Sequence, residues 1–185
     1  MKLMIASDIH GCAPACKKLL DAFAASDAER LIILGDILYH GPRNDLPEGY
    51  NPKEVISMLT EYADKMFCVR GNCDTEVDQM VLPFPVMAET ALLFVDGKTW
   101  FACHGHRSGA NPSEGDFPRL PAGSVVLSGH THIPVLKVHE NGVILCNPGS
   151  ISIPKGGFVP SYGLYEDGVW KILGLNGGEI LSLTV

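Results

Sequence analysis

The sequence predicts an α/β protein in four layers, α/β/β/α: two mixed β-sheets packed face to face and flanked by helices. Two observations carry that expectation. The first third of the chain alternates short apolar runs with amphipathic stretches, whereas after about residue 85 the apolar runs are joined by tight turns. With 46% hydrophobic residues among 185, the chain has material for a sizeable core, most simply as one domain over residues 1–185.

Each element has its own reason. Lys2–Ser7 and Arg30–Leu34 are apolar runs closed by polar loops, and Met66–Arg70 makes a third. Their length suits buried strands. Between the first two, Pro14–Ala25 has the Ala/Leu/Lys composition of an amphipathic helix, with Leu19, Leu20 and Phe23 at helical spacing. Between the second and third, Pro52–Lys65 reads as a helix with Val55, Ile56 and Leu59 as its apolar stripe. Asn51 can accept from the free N–H groups of its first turn, and Pro52 suits a first position that needs no donor. Strands linked in this way should run parallel with right-handed crossovers. Further on, Asp96-Gly97, Asn141-Gly142 and Asp167-Gly168 each separate two apolar stretches, which is the strongest short hairpin signal. Tyr39–Pro52 and Arg107–Pro121, rich in Pro and Gly, read as long loops of the kind that often carry function.

Composition narrows the function. Fourteen basic against 21 acidic residues give a formal charge of −7, which opposes long-range attraction to nucleic acid. Strand binding also wants an aromatic and basic stripe, and none is evident. No apolar run approaches the roughly 20 residues of a membrane span, and the N-terminal run is too short for a signal peptide. Cytoplasm is the expected compartment. Cys12, Cys16, Cys68, Cys73, Cys103 and Cys146 are accordingly expected as free thiols. Phe84-Pro85-Val86 and Trp100-Phe101 are expected in the core rather than on a dimer surface, which leaves homo-oligomerisation open.

The chemistry lies at the strand ends. Asp8 and His10 follow the first strand, Asp36 the second and Asn72 the third, so three successive ends deliver ligand groups to one edge of the sheet. In an open α/β sheet, ligands bind outside the carboxyl ends of the strands. A lone Asp or Asn after a strand is ordinarily a turn former. Three in a row, with His10 two residues from Asp8, point to a shared site. His104 and His106 close the run Thr99–Cys103, and His130 and His132 follow Ser124–Ser128. Neutral imidazole is the commonest metal ligand, and its second nitrogen usually needs an acceptor that the sequence does not reveal.

Together, Asp8-x-His10, Gly35-Asp36, Gly71-Asn72-Cys73-Asp74, His104-Gly105-His106 and Gly129-His130-Thr131-His132 resemble the successive motifs of the calcineurin-like metallophosphoesterases. The resemblance runs from residue 4 to about 150, ending with Asn147-Pro148-Gly149-Ser150. The small size and the Gly-Asn-Cys-Asp motif are similar to the compact YfcE-type phosphodiesterase branch. The resemblance implies two divalent cations, with manganese favoured and zinc or iron as alternatives. One would be held by Asp8, His10, Asp36 and His132, the other by Asp36, Asn72, His104 and His130, with Asp36 as the bridge. It also implies a hydrolase that cleaves small phosphate diesters with a metal-activated water or hydroxide, and a substrate contact from Asn72 and Cys73.

Where many relatives place a histidine as general acid, this chain has Cys73, whose thiol is a weaker acid and brings no positive charge. The expectation is a bias toward diesters with good leaving groups. His40, Arg43 and His106, in loops beside ligands, are candidates for acid or phosphate clamp, and Asp74 for support of the site. The competing reading is an interaction scaffold, as in a subunit of the eukaryotic retromer coat that resembles this fold with an incomplete metal site. All seven ligand positions are filled here, which favours a working centre.

Overall fold

A computed structural model gives the fold of residues 1–107 and 111–185. Residues 108–110, inside the expected Arg107–Pro121 loop, lie outside the described set.

The first half builds strands β1 (Lys2–Ala6), β2 (Arg30–Ile33) and β3 (Met66–Cys68), separated by helices α1 (Ala13–Ala25) and α2 (Pro52–Thr60). Both crossovers give parallel pairs, with Met4 opposite Leu31 and Leu31 opposite Met66. The Asn51 side chain caps α2 by accepting from the Glu54 N–H, and Pro52 sits at the helix start. The expected helix to Lys65 stops at Thr60 and finishes as a separate 3-10 turn, Ala63–Lys65. Tyr62, at that break, packs edge-on against Phe23 of α1 at 5.8 Å, which turns the chain back toward β3. A short helix not expected from the sequence, α3 (Glu76–Val81), begins on a capping box between Thr75 and Asp78.

The remaining strands are β4 (Thr90–Val95), β5 (Lys98–Cys103), β6 (Val125–Leu127), β7 (Val135–Val138), β8 (Ile144–Asn147), β9 (Ser161–Glu166), β10 (Val169–Gly174) and β11 (Glu179–Thr184). Among the described residues they complete two mixed sheets, ordered β11-β10-β9-β1-β2-β3 and β4-β5-β6-β8-β7. In the second sheet β5, β6 and β8 run parallel. Asp96-Gly97 and Asp167-Gly168 make two-residue hairpin turns with every φ positive, as a type I′ turn requires. Asn141-Gly142 instead lies in a longer loop closed by the His139 N–H donating to Val143 O.

Alternation along β1 builds the layers. Leu3 and Ile5 face the second sheet, in a core with Ile32, Leu34, Val125 and Leu127. Met4 and Ala6 face the opposite way, against Leu19, Phe23, Val55 and Leu59 of the helices. Burying one such side chain stabilises the fold by about 1.5–3 kcal/mol. Between the sheets, Trp100, Tyr165 and Trp170 cluster with ring centroids 4.7–4.9 Å apart. The outer face of the second sheet is covered thinly, by the 3-10 turn Pro112–Glu114 and by Phe117 and Leu120 rather than by an α-helix. Phe84, Val86 and Trp100 are buried, as expected of core residues, whereas Pro85 is exposed and Phe101 half-buried.

Candidate metal centre

The carboxyl ends of β1, β2 and β3 meet those of β5 and β6 at one rim of the paired sheets. Asp8, His10, Asp36 and Asn72 come from the first sheet, and His104, His130 and His132 from the second. The loops lie side by side: Asp8 N–H donates to Gly35 O, His10 N–H to Asp36 O, and Gly129 N–H to His104 O. Glycines make this approach possible. A Cβ on Gly35, where φ is +94°, would lie 2.3 Å from Gly71 N, and one on Gly71 would lie 2.1 Å from Asp36 Oδ1.

Asp8, His10, Asp36, His104 and His132 are buried, His130 is half-buried and Asn72 is exposed. Three imidazoles share one orientation. The Nδ1 atoms of His10, His104 and His132 face the carbonyls of Tyr39, Leu34 and Ile153, respectively. A carbonyl accepts only from an N–H, so each Nδ1 carries the proton and each Nε2 keeps its lone pair in the neutral ring. Those lone pairs converge. His10 Nε2 and His132 Nε2 are 3.3 Å apart, and His104 Nε2 is 3.2 Å from Asn72 Oδ1. Around Asp8 Oδ1 lie the Nε2 atoms of His132, His10 and His104 at 3.2, 3.5 and 3.9 Å. Yet Asp8 Oδ1 has no well-oriented hydrogen bond among the described residues. Acceptors gathered so closely repel one another unless cations or protons lie between them. This donor set therefore fits divalent metals.

Asp36 stands between the two halves, its Oδ2 3.7 Å from His10 Nε2 and 3.4 Å from His104 Nε2. Its Oδ1 accepts from the Cys73 N–H at 2.8 Å. Among the described residues, His, Cys and carboxylate donors gather within 4.8 Å of one another in the groups Asp8/His10/His132, Asp8/Asp36/His104 and His10/Asp36/Cys73. His130 sits beside these groups, its ring centroid 5.1 Å from that of His104 and its N–H donating to Asp8 Oδ2.

The electrostatics of these side chains follow from crowding. Burial opposes the charge of Asp8, but His104, His10 and His132 outweigh it and hold the carboxyl well below its ordinary range. Asp36 is likewise lowered, with His104 overcoming burial. Burial disfavours imidazolium at His104, yet Asp8 and Asp36 raise it to about 9. Burial and then His104 push His130 down to about 4. Burial, then the neighbouring Asp36 charge, push the Cys73 thiol up.

The supporting residues were only partly foreseen. Asp74 is buried and accepts from the backbone N–H groups of Asp36, Ile37 and Gly71. Asn147 donates to Gly129 O, while Ser150 and Ser152 donate to Asp8 O, so the 147–152 segment braces two ligand loops. Of the loop candidates, Arg43 lines the cleft above the centre. His40 is packed between the rings of Tyr39 and Tyr50, and His106 lies 5.4 Å from His104 beside a separate pocket. Lys155, which also lines the cleft, escaped the sequence reading: it stands in a Pro-Lys-Gly-Gly loop with no motif attached.

Known proteins share this sequence and fold. The calcineurin-like phosphoesterase superfamily domain matches residues 1–167. Phosphodiesterase YfcE of Escherichia coli K12 is 47% identical over 182 residues, covering 98% of this chain and 96% of that protein. The solved structure of Yfce, a phosphoesterase from E. coli, aligns with a TM-score of 0.94 at 46% identity, covering 100% of this chain and 99% of that one. Vps29 from Entamoeba histolytica, solved with zinc, aligns at 0.62 with 18% identity over 100% and 98% of the two chains, a likeness of fold alone.

Proposed function

The chain belongs to the calcineurin-like phosphoesterase superfamily, and on that premise we propose that it is a metal-dependent phosphodiesterase acting on small phosphate diesters. The observation that carries the reading is the convergence of Nε2 lone pairs and carboxylate oxygens on one buried point. In this proposal Asp8, His10 and His132 would hold one cation and Asn72, His104 and His130 the other, with Asp36 serving both.

When bound, two such cations lower the pKa of a water and steady charge on the phosphoryl oxygens. The chain's own residues do the rest. Carbonyls of Tyr39, Leu34 and Ile153 fix the tautomer and aim of three rings, so the donors meet a metal without reorganisation. Asn72 and Cys73, at the cleft end of β3, are the proposed substrate contacts. Neither Cys73, with its raised thiol, nor His106, lowered first by burial and then by His104, supplies a ready proton to the departing oxygen. Diesters with good leaving groups are therefore the favoured class.

Oxygen and nitrogen donors, with Cys73 held as a thiol, support manganese as the native metal, zinc and iron being the alternatives. Six buried free thiols support a reducing compartment, and cytoplasm is the proposed setting. Among the described residues no helix is long and apolar enough to cross a membrane. We read residues 1–185 as one domain because β9 pairs directly beside β1, with β10 and β11 extending the same sheet from it. The test is metal analysis of the purified protein with a screen of aryl mono- and diesters against each cation. Asp36→Ala should lose both bound metal and turnover. A parent protein that takes up no metal and cleaves no activated diester would instead support the scaffold reading.

A further inference from the structure

The cleft above the centre has a volume of about 430 Å³, the size of a small-molecule site. Asp36, Asn72, His130, Thr131 and His132 line it together with Asn44 and two basic side chains, Arg43 and Lys155. In a chain of net charge −7, this opening gathers two basic side chains beside a single carboxylate, Asp36. Lys2, Lys17, Arg70, Arg107 and Lys171 each hold a carboxylate in an ion pair. Arg43 and Lys155 are in none of the ion pairs of the described residues.

Lys155 is tied to a ligand loop through its backbone, and Arg43 stands in a loop whose neighbouring residues are so tied. Arg43 follows Tyr39, whose carbonyl receives His10 Nδ1–H, and Asn44 Nδ2 donates to His40 O at 2.8 Å. Gly41 of the same loop packs close to Cys73 Sγ. Lys155 N–H donates to the carbonyl of His132 at 3.1 Å. The fold thus brings an Arg and a Lys from opposite halves of the chain to the cleft.

We infer that Arg43 and Lys155 form a second anion subsite, selecting diesters that carry an additional phosphoryl group beside the scissile one. The inference rests on the phosphodiesterase reading. There the scissile phosphate would be held at the metal donors, which leaves the two basic side chains free to meet a second anion. A planar guanidinium suits two phosphoryl oxygens at once, and the ammonium adds a flexible point charge.

The test compares two substrates with the same scissile bond in the manganese-loaded protein: thymidine 5′-(p-nitrophenyl phosphate) and its 3′-phosphorylated counterpart. The expected result is a KM at least about tenfold lower for the phosphorylated one, with similar kcat. In Arg43→Gln/Lys155→Met the ratio of the two kcat/KM values should fall toward one, and Arg43→Lys should retain part of it. Calorimetry with thymidine 3′,5′-bisphosphate and thymidine 5′-monophosphate should give the same ranking without turnover. Equal KM and equal binding in the parent protein would overturn the subsite, as would a double variant that weakens both substrates alike. Because the binding arm needs no catalysis, failure of the phosphodiesterase reading would show separately, as absence of nitrophenol release from either ester.

Discussion

Cys73 has its thiol grouped with the His10 and Asp36 donors, in a position where the proton is held tightly. Cys73→His would bring an imidazole to that spot. The variant should gain on esters with poor leaving groups, by up to about 10²–10⁴ where proton donation limits the rate, and little on aryl esters. A plot of rate against leaving-group pKa checks this, and an unchanged slope counts against the idea. Asp74 makes a different case, since its carboxylate receives three backbone N–H groups around the Asp36 loop. Asp74→Asn sets an amide donor against them. Metal affinity should fall by about 10–100-fold in a calorimetric titration. At this scale the sequence was readable where a ligand must follow a strand, and opaque where support comes from afar. The carbonyls of Leu34 and Ile153 leave no trace in side-chain identity, and Lys155 becomes meaningful only when the fold brings it to His132.

The strand-to-loop junctions explain why the site holds its shape. Asp8, His10, Asp36, His130 and His132 all have φ between 49° and 65°, the left-handed region that non-glycine residues rarely occupy. Such strain persists at sites where surrounding structure over-determines the backbone. Gly35 is part of that determination, and Gly35→Ala adds both an unfavourable φ and a clash with Gly71 N. It should destabilise the protein by more than about 1 kcal/mol, seen as an earlier urea midpoint, and should weaken metal binding as well. Strands, crossovers and two hairpin turns could be read from apolar runs and Asp-Gly pairs, because those patterns reflect local geometry. The early end of α2 could not, since Tyr62 breaks it by packing on a residue 39 positions earlier, Phe23. Nor could α3, whose six residues bury none of their side chains and so display no stripe.

Taken whole, the molecule is two sheets closed at one end by aromatic rings and at the other by metal donors. Trp170→Ala should cost about 3–5 kcal/mol in a denaturant titration, because the Trp100 and Tyr165 rings lose their partner. Proton linkage acts at the donor end. His104 is raised in the metal-free protein from 6.5 to about 9, Asp8 and Asp36 overcoming burial. What this contributes to metal-free stability is full below pH 6.5 and is lost as the pH climbs through about 9. A cation needs the same Nε2 lone pair, so apparent metal affinity should rise over that interval with proton release. Titrations in buffers of different ionisation enthalpy would reveal it; an affinity flat with pH would not fit. Four donors hang from one sheet and three from the other, so a bound cation pair is also a clasp across the seam. Chelation should unfasten it, lowering the melting temperature by about 5–10 °C relative to protein held at a hundred times the dissociation constant. A melting curve then doubles as an occupancy gauge, readable before any substrate has been identified.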